Sequence, residues 1–242
     1  MNPVAPDLAG QQLTLNMRLP SYANWENYDF SCSPGTLPAL QKIAQQPAPE
    51  VVFLQGAKGT GKSHLLQATA QVAIDEGWQV GYLSAAELLT MGPEAGAEML
   101  AGFDQFQLLC IDDIESLCQT KTWCEALFHL YNANQHLGHR LLLSSADTAH
   151  SMTCALPDLK SRLQLALMMP LHALDEARQC QQLIHRARQL GLVMSAEVAQ
   201  YICLHSQRNM GAVMAVLQTL DTASWQAKRK LTIPFVKQTM QW

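Results

Sequence analysis

An α/β fold is expected: a parallel sheet covered by helices on both faces, then a small all-helical domain. Three observations predict it. Residues 56–63, Gly-Ala-Lys-Gly-Thr-Gly-Lys-Ser, form a complete G-x-x-x-x-G-K-[ST] phosphate loop between an apolar run and an amphipathic segment. Further short apolar runs alternate with helical patterns, as in a sheet buried on both faces. From Asp175 onward the strand signal stops and only helical patterns remain.

Residues 1–20 read as a polar, Pro-containing and flexible lead-in. Ser33-Pro34 offers a capping hydroxyl and a first-turn proline for a helix over Leu37 to Ala44. Gln46-Pro47-Ala48-Pro49 ends that helix and leads to a strand over 51–55. Lys62 to about Glu76 is helical and stops at Gly77. Val80 to Leu83 is the second strand. Short helices follow over Ala85–Leu89 and Glu94–Leu100, parted by Gly92-Pro93. Gln107 to Ile111 is the third strand. Lys121 to Gln135 is a helix with Trp123, Leu127, Leu130 and Tyr131 on one face. Arg140 to Ser144 and Leu165 to Met169 are the fourth and fifth strands. Helices then fall near 175–190, 195–206, 209–224 and 234–241. Gly191 closes the first, Ser195 caps the second and Pro234 opens the last. The divisions are a tail over 1–20, an α/β domain over 21–171 and a helical domain over 172–242.

Composition narrows the class. The chain has 242 residues, 48% hydrophobic and 15% charged, enough for a packed core. Its net charge of −4 argues against a surface built mainly to grip nucleic acid. No apolar run is long enough for a membrane span, and Met1 to Gly10 lacks an export signal, so a cytoplasmic location is expected. The seven cysteines include no C-x-x-C pair and several lie inside apolar runs, which reads as buried reduced thiols. His136-Leu137-Gly138-His139 lacks a second ligand pair and is read as a loop, not a zinc site. The methionines read as core filler.

The phosphate loop names a ligand class. Gly56, Gly59 and Gly61 let successive N–H groups turn inward, and the helix from Lys62 adds its positive end. Lys62 reaches β- and γ-phosphates, and the Ser63 hydroxyl is a Mg²⁺ ligand. Leu108-Leu109-Cys110-Ile111-Asp112-Asp113 is an apolar strand ending in two acids, a Walker B pattern that places them where ligands bind in open α/β sheets. Asp112 would hold Mg²⁺ and Asp113 would polarise the attacking water. Ser144, ending Leu141-Leu142-Leu143-Ser144-Ser145, either contacts the γ-phosphate or lytic water or sits in an ordinary strand-to-loop turn. His64 is read as packing beside the loop.

At these three strand ends the sequence resembles the AAA+ ATPases, and within them the DnaA clade. Ile111-Asp112-Asp113-Ile114-Glu115 resembles that clade's Walker B segment, and Leu156-Pro157-Asp158-Leu159-Lys160-Ser161-Arg162-Leu163 its box VII, in which the Arg of Ser-Arg-Leu is an arginine finger. Trp25-Glu26-Asn27-Tyr28 resembles the segment lying by the adenine. Arg229-Lys230-Leu231-Thr232-Ile233-Pro234-Phe235-Val236-Lys237 is similar to the C-terminus of the Hda family, short bacterial DnaA homologues; no helix-turn-helix pattern follows it here. Gln12-Leu13-Thr14-Leu15-Asn16-Met17 resembles the clamp-binding peptide of that family. It departs at Thr14, Asn16 and Met17, and Asn16 in place of Pro gives up preorganisation.

The resemblance implies an adenine-nucleotide site for ADP or ATP with Mg²⁺, made by Trp25, Asn27, Tyr28, Gly56, Ala57, Lys58, Gly59, Thr60, Gly61, Lys62, Ser63, His64, Asp112, Met210 and Gly211. It implies two partners. The DNA polymerase sliding clamp (β subunit) would be met through Gln12, Leu13, Leu15 and Met17. DnaA would have its bound ATP hydrolysed with the help of Arg162, limiting replication initiation. DNA would be met only through the clamp, and head-to-tail self-association is geometrically open. The family's sensor 2 Arg falls at Gly211, and whether Arg208, almost one turn earlier, substitutes for it is left open by the sequence; slow intrinsic hydrolysis is expected from Gly211, with bound nucleotide, ADP foremost, as a structural switch. Two other readings stand beside this one. A DnaC-like helicase loader would carry a folded N-terminal domain, and a P-loop small-molecule kinase would need an acceptor-binding insertion and an Arg-rich lid.

Overall fold

The computed structural model describes residues 23–46, 50–207 and 209–242. The peptide over 12–17 and Arg208 lie outside them. Five parallel strands form one sheet in the order β2-β3-β4-β1-β5: β1 Val51–Gln55, β2 Val80–Ser84, β3 Leu108–Asp112, β4 Arg140–Ser145 and β5 Leu167–Pro170. β1, which delivers the phosphate loop, lies between β4 and β5. Val51 pairs with Leu141 and Val52 with Leu167.

The strands alternate two apolar faces, so each needs a helical cover. Val52, Leu54, Leu108, Cys110 and Leu142 pack with Leu40 and Ile43 of α1 (Thr36–Gln45) and Leu65 and Leu66 of α2 (Lys62–Asp75). Phe53, Leu109, Ile111, Leu141 and Leu143 form the opposite face. They meet α3 (Ala85–Thr90), α4 (Pro93–Ala101), α5 (Lys121–Leu137) and α6 (Pro157–Gln164), with Leu88, Leu100, Trp123, Leu127 and Leu163 buried. Trp123, Leu127, Leu130 and Tyr131 are all buried, as their shared helical face requires.

Beyond β5 four helices build a core of their own: α7 (Glu176–Gln189), α8 (Ala196–His205), α9 (Met210–Ala227) and α10 (Ile233–Met240). Leu183, Ile202, Val213, Leu217, Leu220 and Phe235 fill it. Asp175, Ser195, Asn209 and Thr232 each accept a backbone N–H at a helix start, satisfying groups that the first turn leaves open.

Three expectations shift. Ser33 does not cap α1, which starts at Thr36 without a side-chain cap; its Oγ instead accepts the N–H of His172 at 3.3 Å, tying the opening segment to the chain leaving β5. The fifth strand begins at Leu167, because α6 and its last turn occupy the chain up to Leu165. His136 lies in the last turn of α5, while His139 Nδ1 is 2.9 Å from the Asp104 carbonyl, an ordinary structural contact.

Candidate nucleotide site

The loop between β1 and α2 has the shape its glycines require. Gly59 and Gly61 hold φ of 85° and 93°, left-handed conformations costly for side-chain-bearing residues. Gly56 is needed for closeness, since a Cβ there would sit 2.6 Å from the Leu171 carbonyl oxygen. Thr60 is buried and its hydroxyl donates to the Ala57 carbonyl at 2.9 Å, while Ala57 and Lys58 are exposed. The α2 N-terminus starts at Lys62 with no side-chain cap, so its first N–H groups stay available for an anion.

Lys62 is buried, with Nζ donating to the Gly56 carbonyl at 3.0 Å and lying 3.9 Å from Asp113 Oδ1. Asp113 has a φ of 56°, which turns its half-exposed side chain back toward the loop. Burial, then the neighbouring Asp112 and Glu115, push its carboxyl above the usual range, with Lys62 and Lys58 pulling it down.

Asp112 is buried at the end of β3. Ser144 at the end of β4 donates its hydroxyl to Asp112 Oδ1 and accepts the Asp113 N–H at 2.9 Å. Tyr82 donates its hydroxyl to Asp112 Oδ2 at 3.0 Å. Two neutral hydroxyls thus brace a buried carboxylate with which no cationic side chain pairs among the described residues. A buried acid without a cation partner has the chemistry of an oxygen ligand for Mg²⁺, and Ser63, the other residue expected to ligate it, is exposed at the start of α2. Tyr82 was not legible as part of the site. It lies two residues before Ser84, the register partner of Asp112, so it shares a sheet face with the acid only once strand order is known.

The opening segment straps the loop. Tyr28 donates its hydroxyl to the Thr60 carbonyl at 3.0 Å, and its ring edge lies where a Cβ on Gly61 would go. Trp25 Nε1 donates to Thr69 Oγ1 of α2 at 3.2 Å, and Asn27 is half-buried between them in sequence. His64 packs beside Tyr28 and its Nε2 is 2.9 Å from the Asn24 carbonyl. Burial holds its imidazole below the usual pKa, the direction of a neutral packed ring.

The helical domain touches the same loop. A Cβ on Gly59 would come within 2.5 Å of Asn209 Cβ, and one on Gly211 would lie 3.9 Å from Gly59 Cα. Met210 and Gly211 open α9 at this contact, with Asn209 Oδ1 accepting the Ala212 N–H at 2.8 Å. Asn209, like Tyr82, is a member of the site that motif reading missed; its sequence signal is a capping residue before an apolar helix.

Arg162 stands apart. It is exposed on α6, its guanidinium carbon 5.6 Å and 5.9 Å from the ring centres of Phe128 and Tyr131 on α5. No acid pairs with it among the described residues. None of those described residues includes the peptide over 12–17. Nor is any helix among them long and apolar enough to cross a membrane.

Residues 35–170 match the family of the bacterial DnaA ATPase domain, and residues 166–240 match the lid domain of Hda. The fold is similar to domain III of the replication initiation protein DnaA of Thermotoga maritima, with 18% identity, a TM-score of 0.78 and 91% of this chain covering 96% of that one. It is also similar to DnaA of Aquifex aeolicus bound to AMPPCP, with 20% identity, a TM-score of 0.69 and coverage of 86% and 68%. The Holliday junction branch migration motor RuvB of Thermotoga maritima follows, with 16% identity, a TM-score of 0.62 and the same 86% of this chain. The family match spans more than half of the sequence, and the lid match takes up most of the remainder. The chain belongs to the bacterial DnaA family of AAA+ ATPase domains and carries a lid of the Hda kind.

Proposed function

We propose that this chain is a regulator of replication initiation. It binds ADP or ATP with Mg²⁺, docks on the sliding clamp through Gln12, Leu13, Leu15 and Met17, and supplies Arg162 to the ATP held by DnaA. The observation that carries the reading is Arg162 itself, an exposed guanidinium braced by two rings and unpaired with any acid among the described residues. A cation presented this way is available to another molecule's γ-phosphate, where it offsets charge developing in the transition state.

In the chain's own site, the loop amides and Lys62 bind the phosphates, and Trp25, Asn27 and Tyr28 form the strap beside the base. Bound Mg²⁺ supplies charge neutralisation, with Ser63 and Asp112 as its ligands. Asp113 orients water, and Ser144 positions both acids through its two hydrogen bonds. The site holds its nucleotide as a switch and turns it over slowly, because Gly211 stands where the family places an Arg. A side chain fits there: a Cβ would lie 3.4 Å from Asn209 Oδ1, ordinary contact. Gly211→Arg is expected to raise intrinsic ATP turnover by on the order of tenfold or more. Steady-state phosphate release checks this, and an unchanged rate would remove Gly211 as the cause.

Clamp docking is tested by pull-down with purified sliding clamp. Wild type is expected to bind and Gln12→Ala/Leu15→Ala to lose binding, both keeping the same melting temperature. Absence of wild-type binding would sink the docking reading and leave a DnaA-like nucleotide switch with another partner. A clamp-bound protein would be a cytoplasmic one, which agrees with a sequence that has no C-x-x-C pair and several cysteines inside apolar runs.

A further inference from the structure

Two cysteines six residues apart, Cys118 and Cys124, meet a third from 30 residues further on, Cys154, beside the Walker B turn. Cys118 follows the single turn of helix Ile114–Ser116, Cys124 lies in the first turn of α5, and Cys154 sits in the connection from β4 to α6. Their sulfurs all lie within 4.8 Å of one another, and Cys124 Sγ is 3.8 Å from Cys154 Sγ. Two sulfurs bound to one tetrahedral zinc are about 3.8 Å apart, given a Zn–S bond of about 2.3 Å. Cys118 and Cys124 are buried, while Cys154 is half-buried and offers a way in.

We propose that Cys118, Cys124 and Cys154 form a three-sulfur site for a thiophilic metal ion, Zn²⁺ or Cu⁺. Each thiol gives up its proton to solvent as its sulfur bonds to the metal, with no change in oxidation state. Three sulfurs complete a trigonal Cu⁺ site, or leave the fourth position of a Zn²⁺ tetrahedron for water. A disulfide would use two sulfurs and strand the third.

The ion would join segments that already touch. Ala155 donates its N–H to the Cys118 carbonyl at 2.9 Å, Cys124 Sγ donates to the same carbonyl at 3.1 Å, and Cys154 Sγ donates to the Leu156 carbonyl at 3.2 Å. Asp113 lies five residues before Cys118, and the connection bearing Cys154 leads directly into α6 with Arg162. Metal at this point would fix the arginine helix relative to the Walker B turn.

The test uses the full chain, purified under reducing conditions and freed of metal by chelation. Co²⁺, as a reporter for Zn²⁺, is titrated in one arm, and Cu⁺ under anaerobic conditions in the other. One equivalent per chain is expected in at least one arm, with a thiolate-to-metal charge-transfer band and a raised melting temperature. Cys154→Ser, in a half-buried connection, should fold and lose the band. Cys180→Ser in the lid should keep it. Absence of stoichiometric binding in both arms, survival of binding in Cys154→Ser, or recovery of a Cys124–Cys154 disulfide instead of metal would each overturn the site.

Discussion

Arg162→Ala is expected to abolish stimulation of DnaA-bound ATP hydrolysis while leaving clamp binding and nucleotide binding unchanged and lowering the melting temperature by no more than about 2–4 °C. An arginine finger supplied in trans is worth about 10³–10⁵ in rate. The charge at Arg162 does little for the chain's own stability, because it is exposed and its neighbours are the faces of Phe128 and Tyr131. Such exposed cation–π contacts contribute about 0.5–1 kcal/mol, small beside the stability of a domain this size. The assay is single-round phosphate release from ATP-loaded DnaA in the presence of DNA-loaded clamp. Arg162→Lys separates charge from shape. Lys keeps the charge but not the planar fork, so it should recover only a small part of the activity. Full activity in Arg162→Ala would end the finger assignment while leaving the nucleotide site untouched.

The second large effect is expected at Lys62. Wild type should gain thermal stability with Mg·ADP or Mg·ATP, equivalent to about 2.7 kcal/mol at a ligand concentration of 100 Kd. Lys62→Ala removes a charge-assisted hydrogen bond to phosphate worth about 2–3 kcal/mol, on the order of 100-fold in Kd, so the shift should all but disappear at the same concentration. The unliganded variant should still fold. Among the described residues Lys62 meets the Gly56 carbonyl and, more distantly, a half-exposed Asp113, so its loss strands no buried carboxylate among them. Differential scanning fluorimetry over a nucleotide titration reads both quantities. Equal shifts in the two proteins would show that the loop does not hold the phosphates.

The strands were legible because each is a short apolar run bounded by turns, and a parallel sheet buried on both faces demands that pattern. The loop was legible because its glycines are stereochemical requirements, as the φ values of Gly59 and Gly61 show. α6 was visible as a motif but not as a helix. Among its eight residues only Leu159 and Leu163 are buried, too few to mark a period. Ser33 misled for a different reason: a hydroxyl before a proline suits a helix cap equally well as a tertiary contact, and His172 claims it. Tyr82, Asn209 and the Cys118–Cys124–Cys154 group depend on strand order and on loops returning from far along the chain. No local pattern carries that information.

The contact between Asn209 and Gly59 has a mechanical consequence. Asn209 both caps α9 and rests on the phosphate loop, so a shift of the loop would meet the first turn of that helix directly. On the proposed reading, a ligand that reshaped the loop would press on the start of α9, and a protein gripping the lid would sense occupancy without touching the nucleotide. By reciprocity the same grip would alter how tightly nucleotide is held. A lever that spans the two domains can thus turn a chemical state into an orientation that a partner reads from the outside.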